Sequence, residues 1–378
     1  MRSRHIPELD GLRGMAILFV LVYHYINLTQ GTQISEFQRI FAMGWSGVDL
    51  FFVLSGFLIG GILLDARDSA NYFETFYGRR VFRIMPLYYA WIAFYFVIAA
   101  FIGNPETYRA IPIYVLFLQN SAKINHATLG TAWLGHLWSL AVEEQFYLVI
   151  PLGIRFLAQR KLVPLLCSIV VMVPVGRVLL HQHLTAHPAA QYTLTICRAD
   201  ALAMGVLLAI GFRSELWRER FIRYRPFVVA GVLFLLAGFV YLSAWQPSQY
   251  SLSMAAWGFS VVDAFFAGLL IMAVLNPSGI WAAVCRWPFL AEMGRISYCL
   301  YVIHQVVNLG CHELLLHTLP QFNSWRTAAV TALAAAVSYG VAVASWKWFE
   351  NPMLRRGHRF KYEPADVSAS LKLQPTSL

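Results

Sequence analysis

Two polar side chains interrupt the first apolar stretch of the sequence, and their types and spacing are suited to chemistry. Arg13 and His24 are eleven residues apart. On a helix this is roughly 16 Å and about three turns, so they share one stripe with Asp10. A guanidinium binds phosphates through paired N–H donors, and an imidazole is the commonest general base. The pattern therefore indicates an anion site at one end of a helix and a proton acceptor deeper along it.

Further polar residues fall at matching depths in other apolar stretches. Glu143 and Glu144 lie roughly 12–14 Å from the outer end of their own apolar stretch, close to the depth of His24. A carboxylate beside an imidazole orients the ring and raises its basicity, which favours general-base chemistry. The others form three layers: Arg80 and Arg83 level with Arg13; Ser55, Asp263 and His304 at mid-depth; and Asp49, Arg198 and Asp200 near the outer edge.

Each of these residues also has a purely structural explanation. The arginines at helix ends could serve only as topology signals. The histidines could hydrogen-bond between helices, the glutamates could share a proton, and Arg198 could simply pair with Asp200. The spacing H-x-H-x3-H at His181, His183 and His187 is not expected to bind a metal, because no carboxylate or cysteine accompanies it before Cys197. No metal site is predicted.

The composition is that of a membrane protein. Of 378 residues, 58% are hydrophobic and 13% charged, and the mean hydropathy is +0.57. Soluble domains have about 45–50% apolar and about 25% charged residues, so a soluble enzyme is excluded. Aromatic residues make up 15%, which excludes disorder for most of the chain.

Apolar segments long enough to cross a bilayer of roughly 30 Å recur along the chain. They predict an all-α, polytopic helical bundle with about ten transmembrane helices, of which the sixth is short. The predicted spans are 12–30, 46–64, 84–103, 135–157, 162–180, 198–212, 226–245, 253–275, 296–316 and 326–349.

The basic residues predict the orientation. If both termini are cytoplasmic, nearly all arginines and lysines outside the spans lie on the inner side, and only Arg39, Arg109 and Lys123 lie clearly outside. The net charge of +10 is thereby explained as a topology signal, so no nucleic-acid partner is expected. The predicted location is a membrane, with lipid as the surrounding partner.

Two segments outside the spans stand out. The longest outer connection, 104–134, contains the apolar run Ile111–Leu118, which is too short to span and is predicted to be re-entrant or interfacial. The segment 357–378 is polar, contains two prolines and is predicted to be a disordered cytoplasmic tail. The domain organisation predicted is one membrane domain, 1–356, followed by this tail.

Several stretches, in order along the chain, form a recognisable pattern. The first is IPELDGLRGMAILFVLVYHY (Ile6–Tyr25), with its R-x10-H spacing. The others are GVDLFFVLSGFLI (Gly47–Ile59), RRVFRIMPLYY within Phe76–Tyr89, LWSLAVEEQFYLVIP (Leu137–Pro151), RADALAMG (Arg198–Gly205), GRISYCLYVIH (Gly294–His304) and FENP (Phe349–Pro352). Together they resemble the membrane-bound acyltransferase 3 family, which includes bacterial O-acetyl- and O-acyltransferases of surface glycans.

The resemblance implies a function. Family members transfer an acyl group from cytoplasmic acyl-CoA to an acceptor hydroxyl, here expected on a glycan or glycolipid at a bacterial inner membrane. Acyl-CoA, with acetyl-CoA expected, would be a cosubstrate, and no tightly bound cofactor is expected. Some relatives carry an additional C-terminal SGNH esterase-like domain, for which this chain is expected to be too short. The oligomeric state, the acceptor and the acyl chain length are left open.

The resemblance also implies roles. His24 matches the essential histidine, Arg13 its partner at the donor, and Glu143 the glutamate expected to orient His24. The predicted catalytic residues are His24, Glu143 and Glu144, and the predicted donor-binding residues are Arg13, Arg80 and Arg83. A supporting role is predicted for Asp10, Asp49, Ser55, Arg198, Asp200 and His304.

Two other functional classes remain open from the residues alone. A transporter or exporter of a sugar or lipid would use the buried charges as a relay and leave its substrate covalently unchanged. A non-catalytic scaffold would tolerate substitution of His24. No inverted repeat is visible, and the arginines cluster at one face, which favours the enzyme.

Overall fold

The computed structural model describes residues 6–27, 36–102, 106–122, 134–184, 187, 189–245 and 248–364. In these ranges the chain is helical, with connecting turns and no strand. The α-helices are α1 (Pro7–Val22), α2 (Glu36–Ile40), α3 (Gly47–Asp65), α4 (Tyr72–Ile102), α5 (Glu106–Val115), α6 (Gln119–Ala122), α7 (Trp138–Phe156), α8 (Gln159–His183), α9 (Ala190–Thr193), α10 (Ala199–Arg213), α11 (Glu215–Arg223), α12 (Arg225–Trp245), α13 (Phe259–Leu275), α14 (Ile280–Cys285), α15 (Pro288–Arg295), α16 (Ser297–Leu316), α17 (Trp325–Ser345) and α18 (Asn351–Gly357).

Local sequence explains where the principal helices begin and end. Pro7 opens α1 at the first turn, where its missing N–H costs nothing. Ser324 and Thr327 form a reciprocal capping box at the start of α17. At the end of α16, His317 adopts the left-handed conformation (φ 53°), a usual helix stop. Short π-helical turns extend α1 through Tyr23–Asn27 and α17 through Trp346–Glu350.

Within the described ranges, nine helical segments are long and apolar enough to cross a membrane. They are Pro7–Ile26, Gln38–Asp65, Tyr72–Phe101, Gly135–Phe156, Gln159–His183, Arg225–Trp245, Met254–Leu275, Ser297–Leu316 and Trp325–Gly357. The prediction of an all-α polytopic membrane bundle is confirmed. The sixth predicted span, expected to be short, corresponds to α10, whose 15 residues fall below the usual spanning length of about 20.

The short helix α10 is nevertheless central to the bundle. It runs parallel to α3, because Arg198 pairs with Asp49 at the start of both helices and Arg213 with Asp65 at their ends. The two backbones touch at Gly56, where any Cβ would collide with the carbonyl of Leu202. Small residues permit such contact between membrane helices. Because protein surrounds α10, its length need not match the lipid.

The face of the bundle at which α1 begins is here called the N-face. Helix α4 begins at Tyr72, twelve residues before the predicted span at 84–103, because its first turns are charged and lower the local hydropathy. These turns carry the arginines of the RRVFR stretch to the N-face. Arg13 of α1 and Leu354 of α18 line one cavity there, so both ends of the described chain lie at this face.

The structure adds detail to the predictions for two segments outside the predicted spans. The run 111–118 enters the bundle from the opposite face: Gln145 of α7 donates to the carbonyl of Phe117 (2.8 Å), and Tyr88 of α4 to that of Tyr114 (2.8 Å). Residues 358–364, in the first part of the predicted tail, lie against the start of α4 through hydrogen bonds such as Asn71 Nδ2 to the carbonyl of Lys361 (2.8 Å). Residues 365–378 and 123–133 lie outside the described ranges.

Candidate active site

Two histidines from separate helices meet at mid-depth. His24 lies in the π-helical turn that extends α1, and His304 lies on α16, fully buried at 0% exposure. Nε2 of His304 is 2.9 Å from Nδ1 of His24, and the ring centroids are 4.8 Å apart. Helices α1 and α16 both start at the N-face, so this contact joins two parallel helices near the middle of the bundle.

The backbone fixes which nitrogen of His24 holds the lone pair. Nδ1 of His304 lies 2.8 Å from the carbonyl of Tyr301 and 3.0 Å from that of Leu300. Carbonyls only accept, so this nitrogen carries the proton, and in the neutral ring Nε2 is the acceptor. Nδ1 of His24 therefore donates, and its Nε2 holds the lone pair. A ring held in this way is oriented as a proton acceptor or nucleophile.

A third histidine, His136, completes an aromatic cluster around the pair. Its ring centroid is 4.9 Å from that of His304 and 6.2 Å from that of His24. The hydroxyl of Tyr301 donates to the carbonyl of His136 (2.7 Å) and lies 2.5 Å from Oγ of Ser139. Within the described residues, no group of histidine, cysteine and carboxylate side chains is arranged to hold a metal ion. The cluster is suited to proton transfer.

Glu143 lies nearer the N-face, in a separate hydrogen-bonded group. Its carboxylate accepts from Oγ of Ser55 (2.7 Å) and from the hydroxyl of Tyr147 (3.2 Å). It also interacts electrostatically with Arg13 and Arg83. One ring nitrogen of His304 contacts His24, and the predicted orientation of His24 by Glu143 stays a prediction. A catalytic role for Glu143 stays a prediction.

Glu144, the second predicted carboxylate, is half-buried and interacts electrostatically with Glu143 and Arg80. It faces the arginines of α4. Its predicted catalytic role also stays a prediction.

An open cavity of about 550 Å³ enters the bundle from the N-face. Asp10, Arg13, Arg83, Pro288, Ala291, Glu292, Arg295, Tyr298, Trp346, Glu350 and Leu354 line it. The lining mixes cations, carboxylates and aromatic rings, which suits a ligand with both charged and flat apolar parts. Two of the predicted donor residues, Arg13 and Arg83, therefore face one cavity.

The histidine pair lies deeper in the bundle than this cavity, whose lining does not include it. Arg13 donates to Oγ of Ser297 on α16 (3.3 Å). His24 contacts His304, which lies further along the same helix. Along α1 the two levels are separated by roughly 16 Å. Tyr301, which contacts the histidine cluster, lies one turn beyond Ser297. Helices α1 and α16 both run from the level of the basic cavity to the level of the histidine pair.

The third predicted donor residue, Arg80, faces a smaller cavity of about 190 Å³ beside the first. Arg83 and Leu354 line both cavities. The structure therefore brings the three predicted donor arginines to adjoining spaces at the N-face.

The predicted polar layer near the opposite face is a buried set of ion pairs, but its partners differ from those considered. Arg198 pairs with Asp49, and Arg177 pairs with Asp200 (2.8 Å); all four side chains have 0% exposure. Arg198 and Asp200 are two residues apart and point in different directions on α10, so they do not pair with each other. This layer holds α3, α8 and α10 together, and the predicted supporting role of its residues in the reaction stays untested.

Several residues of the site were missed by sequence reasoning. His136 directly precedes the LWSL stretch, and Glu350 lies within FENP, so both adjoin motifs that had been noticed. Tyr147 follows Glu143 by one helical turn, a spacing that could have identified it. Arg295 lies within the GRISYCLYVIH stretch, whereas Trp346 carried no comparable signal, because only the tertiary fold brings it to the cavity.

Together the fold and the site define a multi-pass integral membrane protein with an oriented histidine at mid-depth and a basic cavity at one face. The chain belongs to the acyltransferase 3 family: the family model, described as an acyltransferase domain, matches residues 6–346. The predicted family and the predicted location, a bacterial plasma membrane, are confirmed. No solved structure matches significantly.

Curated bacterial relatives are identical to the chain at 26–28% of the aligned positions. The O-acetyltransferase OatA of Staphylococcus aureus (strain MRSA252) is 26% identical over 97% of this chain and 60% of its own length. The putative peptidoglycan O-acetyltransferase YrhL of Bacillus subtilis and the peptidoglycan O-acetyltransferase OatA of Listeria monocytogenes are each 28% identical, over 94% of this chain and 56% of their own lengths. The chain thus spans less than two thirds of these relatives.

Proposed function

We propose that this protein is an O-acyltransferase that moves an acyl group, acetyl in the first instance, from acyl-CoA to a hydroxyl of a cell-envelope glycan. The observation that carries the proposal is the hydrogen bond from His24 to His304, which leaves the lone pair on Nε2 of His24. Family membership and the names of the bacterial relatives support the reaction class.

In the proposed reaction, Nε2 of His24 accepts the proton of the acceptor hydroxyl as its oxygen attacks the thioester carbonyl. A C–O bond forms, the C–S bond breaks, and the proton passes from His24 to the departing CoA thiolate. Alternatively, Nε2 attacks the thioester carbonyl, so that an N–C bond forms, the C–S bond breaks and CoA leaves as the thiolate. The acceptor oxygen then attacks the acyl carbon, the N–C bond breaks, and the acceptor proton passes to the thiolate. In both routes His304 keeps the ring in the required tautomer and shares the positive charge that develops on it.

The donor is proposed to enter from the N-face. The phosphates of CoA would bind Arg13, Arg80 and Arg83, because guanidinium forks match phosphate oxygens. The extended pantetheine arm is about as long as the separation of Arg13 from His24, so the thioester would reach the histidine pair. The abundance of arginine at the N-face supports a cytoplasmic orientation for it, where acyl-CoA is made.

The acceptor is proposed to approach from the opposite face. Peptidoglycan is the acceptor in the names of the relatives YrhL and OatA of Listeria, and a sugar hydroxyl has the chemistry that the mechanism requires. The proposed acceptor class is therefore a glycan of the envelope.

The proposal is tested with purified protein in vesicles, radiolabelled acetyl-CoA and soluble glycan fragments. The expected result is labelled, base-labile ester on the glycan, lost in His24→Ala and retained in His183→Ala, an exposed histidine at the far end of α8. Full activity of His24→Ala, or glycan movement across the membrane without ester formation, would contradict it.

A further inference from the structure

The segment that follows α18 forms a strap across the first turns of α4. Residues 358–364 are here called the strap. Asn71 holds it at two points, donating to the carbonyl of Lys361 (2.8 Å) and accepting from the backbone N–H of Glu363 (3.0 Å). Nε of Arg79 donates to the carbonyl of Phe360 (2.8 Å). These hydrogen bonds hold the strap in place, although its polar composition alone does not predict a fixed structure.

Packing reinforces the attachment. The ring of Phe360 lies directly over Gly78, where a Cβ would come within 2.8 Å of the ring carbons. The ring also lies 6.1 Å from that of Phe82. Gly78 therefore permits the close approach of the strap, and any larger residue there would push Phe360 away.

The strap forms part of the lining of the smaller N-face cavity. This space of about 190 Å³ is lined by Ile62, Phe76, Arg79, Arg80, Arg83, Leu354, Gly357, His358 and Tyr362. Three arginines and a histidine are among these residues, and no carboxylate is. The volume is several times the roughly 30 Å³ of one water molecule. Its charge and size suit a compact anion.

Two buried hydrogen-bond donors at this cavity have no partner within the described chain: Nε of Arg80 and the hydroxyl of Tyr362. Burial raises the pKa of Tyr362, against the opposing effect of Arg79 and Arg80, so the hydroxyl keeps its proton at neutral pH. The guanidinium of Arg79 stacks over the Tyr362 ring at 5.0 Å, which holds the ring in place. Buried donors left in this way indicate a ligand that supplies acceptor oxygens.

We propose that the strap and α4 form a phosphomonoester site, which takes the 3′-phosphate on the ribose of CoA while the larger cavity takes the rest of the donor. The inference rests on the proposed use of acyl-CoA. A phosphomonoester is nearly dianionic at neutral pH and offers three acceptor oxygens, and it matches the cluster of guanidinium donors. Because Arg83 lines both cavities, one molecule can occupy both.

The test compares the binding of CoA and 3′-dephospho-CoA to the purified full chain by calorimetry, with inorganic phosphate as competitor. The wild type is expected to bind CoA about tenfold or more tightly than dephospho-CoA, as charge-assisted hydrogen bonds imply. Tyr362→Phe keeps the stacked ring and loses the hydroxyl, so it should lower this ratio several-fold and leave dephospho-CoA affinity unchanged. Gly78→Ala, which displaces the strap, should do the same.

Gly231→Ala is the matched control, because nothing lies within 4 Å of a Cβ there; it should keep the wild-type ratio. Equal wild-type affinities for the two nucleotides, or an equal loss of both in Tyr362→Phe, would overturn the phosphate site while leaving acyl transfer from CoA intact. Inorganic phosphate should weaken CoA binding more than dephospho-CoA binding, and an equal effect on both would also overturn the site. If neither nucleotide binds and acetyl-CoA supports no transfer, the proposed donor itself is wrong.

Discussion

Arginines occur in both halves of the bundle, but in opposite settings. Near the opposite face, Arg177 and Arg198 are completely buried and each is paired with an aspartate. At the N-face, Arg13, Arg80 and Arg83 line cavities, and within the described residues none of them forms an ion pair within 4.0 Å. The first group is neutralised by the protein itself, whereas the second presents positive charge to a space that a ligand can enter.

The difference teaches how to separate structural from functional charge in a membrane protein. A buried pair stabilises the fold only while both members are present, since either one alone is an unpaired charge in a medium of low polarity. A cation at a cavity remains partly hydrated and can be removed at little cost to the fold. Substitutions in the two halves should therefore affect different measurements.

The largest expected effect is a loss of folding stability when an ion pair in the half of the bundle away from the N-face is broken. Arg198→Met leaves Asp49 buried without its partner, and the free energy of unfolding should fall by about 3–5 kcal/mol. Thermal unfolding in detergent, followed by tryptophan fluorescence, measures the loss. In the N-face half, Arg83→Met should unfold close to the wild-type temperature. Similar losses in both variants would remove the distinction between the two settings.

The next effect concerns the histidine pair. His304→Gln removes the aromatic acceptor that fixes the His24 tautomer, and kcat should fall by about 100-fold, the lower end of what general-base catalysis contributes. The KM for acetyl-CoA should not change, because the donor arginines are untouched. His312→Gln is the control, since His312 is a buried histidine on the same helix that bonds to Thr331. A change confined to KM would contradict a positioning role.

A smaller effect is expected at the donor cavity. Arg83→Met should raise the KM for acetyl-CoA about tenfold through lost charge-assisted hydrogen bonds and leave the KM for the glycan unchanged. Steady-state kinetics with each substrate varied in turn separates the two. Arg355→Met, an exposed arginine of α18 at the same face, should behave as wild type. Equal effects of the two variants would mean that the arginines act only through overall charge.

The smallest effect is expected at Ser55. Ser55→Ala removes one hydrogen bond to Glu143, worth about 1 kcal/mol. The ratio kcat/KM for transfer should fall by a few-fold, with the unfolding temperature nearly unchanged. An undiminished ratio would show that the position of Glu143 does not matter to the reaction.

The sequence predicts much of the fold, because hydropathy is a direct consequence of the lipid environment. It places the short sixth span at 198–212, where α10 lies, but it misses the start of α4. Helix α10 is short because neighbouring helices, and not lipid, surround it. The charged first turns of α4 continue the helix beyond the hydrocarbon, where hydropathy gives no signal.

For the site, residue spacing along the helices predicts similar depths in the membrane for His24, His304 and Glu143. It does not predict which side chains they contact. Pairing depends on how each helix is rotated, which a single sequence does not reveal. The contact of His24 with His304 was therefore not predicted, and Arg198 bonds to Asp49 where Asp200 was considered. Tyr362 of the strap was missed because a polar segment near the end of the chain gives no sign of tertiary contacts.

The measurement that tests the central claim most directly is nitrogen-15 NMR of the histidine-labelled protein in lipid at neutral pH, with His24 assigned by comparison with His24→Ala. The account predicts that His24 carries its proton on Nδ1 and has an unprotonated Nε2, and that His304→Gln disturbs this state. A His24 ring protonated on Nε2 and bare on Nδ1 would contradict the account.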